Sequence, residues 1–274
     1  MKLKQLLVSI GMVLIFSSCL KDPNKLSPIE SESFHERQIE LNFHPSQVSV
    51  QDSLQSLSQE QSIVMQELDE MRSMTDQIIQ SRSDSLWASL IRKWMEFNSN
   101  YIGANRTPHS GDNSSADLLK NTLFPEAALK WVELNVDLVK LSGEVRFGDA
   151  LEIQLYGQNA VIFPEKLLKS VIYTHLSDKI FINIIGSSSL EYQHTTGGAV
   201  KLTQQTNYPK TKEMTLTCET NDVRFMEVFI RIPAWAVNPT VSHGNVKYVA
   251  RPGEYCQISK KWRTGDEIRV VLEN

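Results

Sequence analysis

Acidic side chains are the first candidates for chemistry in this sequence of 274 residues. Five candidates for this role lie in its middle part: Asp112, Glu126, Glu133, Asp149 and Glu152. Hydrolysis of a glycosidic bond ordinarily uses two carboxyl groups that flank the bond, so a pair of acids is what such chemistry needs. The sequence alone does not place any two of these residues across a cleft.

Thiols and imidazoles show no metal-binding pattern. Cys218 and Cys256 each lie in a short run with strand-like alternation, and neither has the CxxC or Cys/His spacing of a zinc site. We expect two half-buried free thiols, with one disulfide between them as the alternative. Four histidines also lack metal-ligand spacing, and we expect structural or solvent-facing roles for them: His109, His175, His194 and His243.

The composition is that of a folded protein without a polyanion-binding surface. Hydrophobic residues make up 41% of the chain, charged residues 22%, and the formal net charge is -4. A chain of this kind buries a sizeable core and does not attract nucleic acid, so we expect no nucleic-acid partner.

The amino terminus has the pattern of an export signal. Two lysines precede an apolar run from Leu6 to Phe16, which is too short to span a bilayer, and Ser17-Ser18-Cys19 follows. Small residues before a cysteine are typical of a bacterial lipobox, so we predict lipidation at Cys19; a plain secretory signal or an uncleaved anchor is the alternative. We therefore expect a lipid-anchored protein of the bacterial cell envelope.

Residues 52–79 predict a long amphipathic helix. They contain no glycine or proline, and apolar residues recur at heptad spacing to give one narrow seam. We expect this seam to pack on its own domain, and self-association as a coiled coil is the alternative. A second helix is predicted from residue 86, where Trp87 and Trp94 have the spacing of core residues. Stacking on a sugar is the alternative for these two rings and for Trp131.

The next helix has the clearest boundaries in the chain. It runs from Pro125 to Ser142, because proline suits the first turn and Gly143 suits the position after the end. Residues 144–157 predict a partner helix, and the two should form a helical hairpin. Trp131 is expected in its core.

After Pro164 the pattern changes to short alternating or apolar runs separated by turn residues, which is typical of an antiparallel β-sandwich. We predict a multi-domain α+β protein with four segments: a signal peptide at 1–19, a tether at 20–50, a helical region at 51–163 and a sandwich at 164–274.

Several motifs resemble one known family. RIPAWA at 231–236, the tyrosine-proline of TNYP, and PGEYCQISKKWRTGDEIRVVL at 252–272 are similar to the carboxy-terminal sandwich of bacterial β-L-arabinofuranosidases of glycoside hydrolase family 127. LVKLSGEVRFGDALEIQLYG resembles the helical hairpin of that family. The resemblance covers about residues 86–274 and implies that the helical region is a partial (α/α)6 barrel, in a truncated and degenerate member.

The resemblance also implies a retaining mechanism with a zinc-bound cysteine thiolate as nucleophile and a glutamate as acid/base. In a loop like TPHSGD, His109, Gly111 and Asp112 match the family in order, with aspartate in place of glutamate. Asp112 is therefore the acid/base candidate by resemblance, and His109 is a candidate sugar contact. A turn aspartate next to glycine is the plainer interpretation of Asp112.

The family's Glu-Thr-Cys provides two zinc ligands, and Glu126 and Ala128 stand where its glutamate and cysteine would be. Glu126 is then a surviving ligand position and a possible sugar contact, whereas an ordinary first-turn acid favoured by the helix dipole is the alternative. The family's adjacent cysteine pair has no counterpart before Pro164. We therefore expect no zinc and no other cofactor.

Three hypotheses follow from these residues. The first is an envelope lipoprotein that resembles a β-L-arabinofuranosidase but is catalytically impaired. Such a pseudo-enzyme would contact a plant-type glycan or oligosaccharide, support another protein, or be a decaying gene product. The second is a residual glycosidase acting on arabinose-containing glycans through Asp112. The third is a structural or interaction protein that uses the helix at 52–79.

Overall fold

The computed structural model of the protein describes residues 37–43, 59–102, 123–157 and 163–273. The described helices are α1 (Gln59–Ser81), α2 (Asp84–Phe97), α3 (Pro125–Ser142), α4 (Val145–Tyr156) and α5 (Glu165–Val171), and a π-helical turn, Asn98–Ile102, follows α2. None of these helices is long and apolar enough to cross a membrane.

Local sequence explains where the helices begin and end. Ser83 caps α2, because its side-chain oxygen accepts a hydrogen bond from the backbone N–H of Leu86 at 3.3 Å. Pro125 occupies the first turn of α3, and Gly143 ends that helix with a φ of 60°, a left-handed conformation that favours glycine. The predicted boundaries of this helix are confirmed.

The predicted heptad seam of α1 is buried within the same chain. Its buried residues are Val64, Leu68, Met71, Thr75 and Ile78. The helix packs on α2 and α3, and ion pairs connect its outer edge to both, among them Arg72 with Asp137 at 2.6 Å. This packing on its own domain is the first of the two arrangements that the sequence predicts.

An aromatic cluster fills the space between the helices. Trp87, Trp94 and Trp131 are at most 5% exposed, and the rings of Trp94 and Trp131 stack with centroids 5.4 Å apart. Trp94 Nε1 donates a hydrogen bond to Asn135 Oδ1 at 2.9 Å. All three tryptophans are therefore core residues, as predicted. The described helices form a packed layer, and the partial (α/α)6 barrel stays a prediction.

Eleven strands are described: β1 (Arg37–Leu41), β2 (Tyr173–Leu176), β3 (Lys179–Ile182), β4 (Ser188–Gln193), β5 (Ala199–Thr206), β6 (Glu213–Thr220), β7 (Arg224–Arg231), β8 (Thr240–His243), β9 (Val246–Tyr248), β10 (Tyr255–Trp262) and β11 (Glu267–Val271). They form a seven-stranded sheet in the order β1-β4-β5-β6-β11-β8-β9 and a four-stranded sheet in the order β10-β7-β3-β2.

The two sheets share one hydrophobic core. Tyr192 of β4 donates its hydroxyl proton to Met226 Sδ of β7 at 2.8 Å, and the Tyr173 and Ser188 hydroxyls lie 2.9 Å apart, so contacts cross from one sheet to the other. Most strand pairs are antiparallel, as predicted. The exception is β3 with β7, which pair in parallel, because the chain passes through the larger sheet between them.

Strand β1 lies inside the segment predicted as a tether. It pairs antiparallel with β4 from Arg37 opposite Tyr192 to Leu41 opposite Ser188. Arg37 Nη1 also donates a hydrogen bond to the carbonyl oxygen of Tyr173 in the other sheet, at 3.2 Å. Residues 37–41 therefore differ from the prediction and form an edge of the sandwich. Polar and apolar residues alternate over only these five positions, so the sequence carried no clear strand signal.

Candidate functional site

Glu126 and Ala128, which the resemblance aligns with the family's two zinc ligands, point in different directions. Both lie in the first turns of α3, where Glu126 is exposed and Ala128 is completely buried. Residues two apart on a helix do not share a face. Even a cysteine at position 128 would therefore be directed into the core, away from the Glu126 carboxylate.

The two thiols of the sandwich belong to its core. Cys218 lies on β6 and Cys256 on β10; both are free and at most 1% exposed. The prediction of free thiols is confirmed, although they are fully buried rather than half-buried. Burial raises the pKa of each thiol to about 12. A thiol with so high a pKa supplies no thiolate for metal binding or nucleophilic attack near neutral pH.

The residues of the described ranges do not fit the zinc site that the resemblance implies. No group of three or more His, Cys, Asp or Glu side chains in these ranges has a geometry that could hold a metal ion. Asp112, His109 and Cys19 lie outside the described residues, so their predicted roles stay predictions.

Two of the five candidate carboxylates are brought together, but an arginine lies between them. Asp149 and Glu152 on α4 both form ion pairs with Arg231, the first residue of the RIPAWA motif, at the end of β7. The side chains of Arg231 and Glu152 have no exposed surface, and that of Asp149 is 18% exposed. These acids therefore neutralise a buried cation, which is not the arrangement of a glycosidase pair.

Further hydrogen bonds fix this ion cluster between α4 and the sandwich. Arg231 Nε donates to the carbonyl oxygen of Asn183 at 2.5 Å, and the backbone N–H of Ala234 donates to Asp149 Oδ2 at 3.1 Å. The backbone N–H of Ile185 donates to Glu152 Oε1 at 3.3 Å. Arg231 thus has partners from both the helical layer and the sandwich, while the two acids of α4 find all of these partners in the sandwich.

Three tyrosines surround the ion cluster. Tyr208 donates its hydroxyl proton to Glu152 Oε2 at 3.1 Å, and Tyr255 donates to Asn183 Oδ1 at 2.6 Å. Tyr156 donates to the carbonyl oxygen of Ile185 at 2.7 Å, and its ring packs edge-on against Tyr208. The hairpin helix, the TNYP motif and RIPAWA, three separate parts of the resemblance, therefore meet at one place.

The electrostatics of the cluster follow from burial and charge pairing. Burial alone would lower the pKa of Arg231, but Glu152 and Asp149 hold that pKa above its ordinary value. Burial raises the pKa of Asp149 to about 6, against the opposing effect of Arg231. Burial also raises the pKa values of Tyr156 and Tyr208 well above normal, so both hydroxyls remain protonated.

Gly148 allows α4 to approach the cluster closely. A Cβ atom at this position would lie 2.6 Å from Arg231 Cδ and 2.8 Å from its Nε. Any other residue would push the arginine away from its two acids.

The described histidines are structural. His194 is buried, with Nδ1 2.9 Å from Thr196 Oγ1 and Nε2 3.1 Å from the carbonyl oxygen of Phe225. His243 contacts the carbonyl oxygen of Glu267 at 2.9 Å. His175 is buried on β2, where burial and then the charge of Arg37 lower its pKa to about 4. The prediction of structural roles is confirmed for these three.

An open groove of about 990 Å³ crosses the end of the larger sheet where β5, β6 and β11 meet. Polar side chains line most of it, including Gln205, Asn207 and Thr211. Lys212, on the same wall, places its Nζ 5.5 Å from the centre of the Trp235 ring. Nothing in the sequence indicated this groove, because its residues have the pattern of ordinary strand ends and a loop.

The fold is of the α+β class, with a helical layer joined to a two-sheet sandwich through this cluster. The family model for the GH127 β-L-arabinofuranosidase middle domain matches residues 179–274. No curated protein sequence matches the chain.

Three solved structures share the fold. A GH127 β-L-arabinofuranosidase from Geobacillus stearothermophilus T6 has a TM-score of 0.54 at 19% identity, covering 74% of this chain and 41% of that one. Another GH127 β-arabinofuranosidase has a TM-score of 0.57 at 18% identity, over 75% and 42%. A third, described as a glycoside hydrolase, has a TM-score of 0.55 at 14% identity, over 74% and 45%.

These findings support membership of the GH127 family, at low identity and with partial coverage. The chain spans less than half the length of each of the three solved proteins. At these identities the structural likeness shows the fold alone.

Proposed function

We propose that the protein is a GH127-like lipoprotein of the bacterial envelope that contacts glycan without cleaving it through the zinc–thiolate reaction. One observation carries the proposal: Ala128, which the resemblance aligns with the family's ligand cysteine, is buried in the core. The chemistry that zinc supplies in that reaction is stabilisation of the cysteine thiolate, which needs a nearby cation to exist at neutral pH.

The remaining thiols do not replace the lost ligands. Cys218 and Cys256 lie on different sheets, fully buried and with pKa values raised to about 12. Asp149 and Glu152 are occupied by Arg231, which removes them as a substitute acid pair. We therefore assign the described part of the chain a binding and supporting role.

Cys19 is the proposed lipid-carrying residue, and residues 20–36 then connect the membrane anchor to strand β1. Metabolic labelling with a palmitate analogue should label the unchanged protein and Cys218→Ser but not Cys19→Ser. A protein that carries no label, or that is labelled equally in Cys19→Ser, would contradict the lipid anchor.

The test of catalysis uses the soluble form that starts after Cys19, at residue 20, incubated with an aryl β-L-arabinofuranoside. We expect no hydrolysis above that of Asp112→Asn, and no stoichiometric zinc by elemental analysis. Hydrolysis that Asp112→Asn abolishes would instead support a residual glycosidase with Asp112 as acid/base. Bound zinc that is lost in Glu126→Gln would contradict the proposal on independent grounds.

A further inference from the structure

The groove at the end of the larger sheet is rigidly built. Val271 of β11 pairs with Glu213 of β6, and the backbone N–H of Leu272 donates a hydrogen bond to the carbonyl oxygen of Lys212 at 2.7 Å. The side chains of Met214 and Leu272 are at most 2% exposed and form an apolar floor. Because the walls are strand ladders, a ligand would meet a surface that is already ordered.

The wall on the side of β5 carries polar side chains with unused hydrogen-bonding capacity. Gln205 lies directly opposite Thr215 on the neighbouring strand, so both point to the same face of the sheet. Asn207 and Thr211 follow in the loop after β5, and Gln205, Asn207 and Thr211 are exposed. Within the described ranges, none of these four side chains forms a hydrogen bond.

Charges in and beside the groove balance. Glu213 is paired with Arg269, with its Oε2 3.0 Å from Nη2, which leaves Lys212 and Glu273 as one charge of each sign. A groove of this kind favours neither an anion nor a cation strongly, and its polar wall does not suit an apolar ligand.

A neutral polyhydroxylated ligand fits this chemistry. Each sugar hydroxyl both donates and accepts hydrogen bonds, and amide side chains such as Gln205 and Asn207 also do both. The volume of about 990 Å³ is at the upper end of the range of small-molecule sites, large enough for several sugar units. We propose that this groove binds a neutral oligosaccharide, an inference that deepens the proposed function and rests on it for the class of ligand.

Trp235 provides a local reporter for the groove. Of the five tryptophans in the chain, Trp87, Trp94, Trp131 and Trp262 are buried in cores, whereas Trp235 is partly exposed under Lys212. A ligand that contacts Lys212 should therefore change the environment of Trp235 and leave the other four rings unchanged.

The experiment uses the full chain in detergent, labelled with 5-fluorotryptophan, and Trp235→Phe assigns the reporter signal. Soluble neutral arabino-oligosaccharides are titrated while fluorine NMR follows the signals and calorimetry measures the affinity. We expect a saturable shift of the Trp235 signal alone, with a Kd in the millimolar range or tighter. The double variant Gln205→Ala/Asn207→Ala should weaken binding about tenfold or more, because it removes two hydrogen-bonding side chains.

Gln193→Ala is the matched control, because Gln193 is an exposed glutamine at the end of β4 and does not line the groove. Its affinity should equal that of the unchanged protein. Absence of a Trp235 shift, binding unaffected by the double variant, or binding only of acidic oligogalacturonides would each overturn the inference. Analysis of the same samples for cleaved products tests hydrolysis separately. A failure of the binding inference can thus be distinguished from a failure of the proposed function.

Discussion

Arg231 at the end of β7 and Glu152 on α4 form an ion pair in which neither side chain has any exposed surface. The pair joins the sandwich to the helical layer, and Asp149 completes the neutralisation from the same helix. These residues of the hairpin and of RIPAWA thus hold the helical layer and the sandwich together.

Replacing the arginine should destabilise the protein strongly. Arg231→Met leaves Glu152 buried without its cation, and loss of one partner of such a pair costs about 3–5 kcal/mol. Urea unfolding monitored by circular dichroism measures the change in the free energy of unfolding. Arg231→Met combined with Glu152→Gln should recover part of the loss, because the uncompensated charge is then gone.

Arg224→Met is the control for this prediction. Arg224 lies on the same strand, and its partner Asp222 is mostly exposed, so the loss should be about 1 kcal/mol or less. Equal effects of the two arginine substitutions would show that the buried pair is not important for joining the layers.

His175 should make the protein less stable in mild acid. The folded state binds a proton at His175 only below about pH 4, whereas the ordinary pKa is 6.5, so the unfolded chain takes up more protons between these values. The contribution of His175 is complete above about pH 6.5, falls as the pH is lowered toward about 4, and then levels off. Its total size is roughly 3 kcal/mol.

His175→Asn isolates this effect. Asp149, whose pKa is raised to about 6, acts in the opposite direction over part of the same range, so the unchanged protein alone does not separate the two. Urea unfolding at about pH 4.5 and about pH 7.5 should show a smaller acid-induced loss in His175→Asn. Identical pH profiles would argue against a depressed pKa at His175.

A cysteine introduced at position 128, where the resemblance places the family's ligand cysteine, should not create a metal site. In Ala128→Cys the new sulfur would be directed into the core between the helices, while Glu126 remains on the exposed face. Elemental analysis after exposure to zinc should therefore find no more metal than in Ala128→Ser. The thiol should react with a water-soluble reagent only after unfolding, as we expect for Cys218 and Cys256. Stoichiometric zinc in Ala128→Cys alone would show that position 128 faces a ligand set.

The seam of α1 offers a test of self-association. Leu68→Ala should lower the free energy of unfolding by about 2–5 kcal/mol, because Leu68 is 2% exposed and packs within its own chain. The control is Ile63→Ala, since Ile63 is 46% exposed on the same helix and should matter little. Thermal unfolding at several protein concentrations distinguishes the alternatives. A melting temperature that rises with concentration would favour the coiled coil.

The sequence by itself determined the parts that depend on local pattern. Pro125 and Gly143 set the limits of α3, the heptad seam identified the buried face of α1, and alternation revealed most strands of the sandwich. The alanine at position 128, where the resemblance places the family's ligand cysteine, is also visible in the sequence. Such features are readable because a few neighbouring residues are enough to produce them.

Only the tertiary structure decided which distant residues meet. Arg231 and Asp149 are 82 positions apart, and Arg37 and Tyr173 are 136 apart, so nothing in their neighbours predicted either contact. The same holds for the parallel pairing of β3 with β7 and for the groove beside Lys212. Pairing between strands and neutralisation of a buried charge are properties of the folded arrangement, because their free energy depends on burial and distance that exist only after the chain has folded.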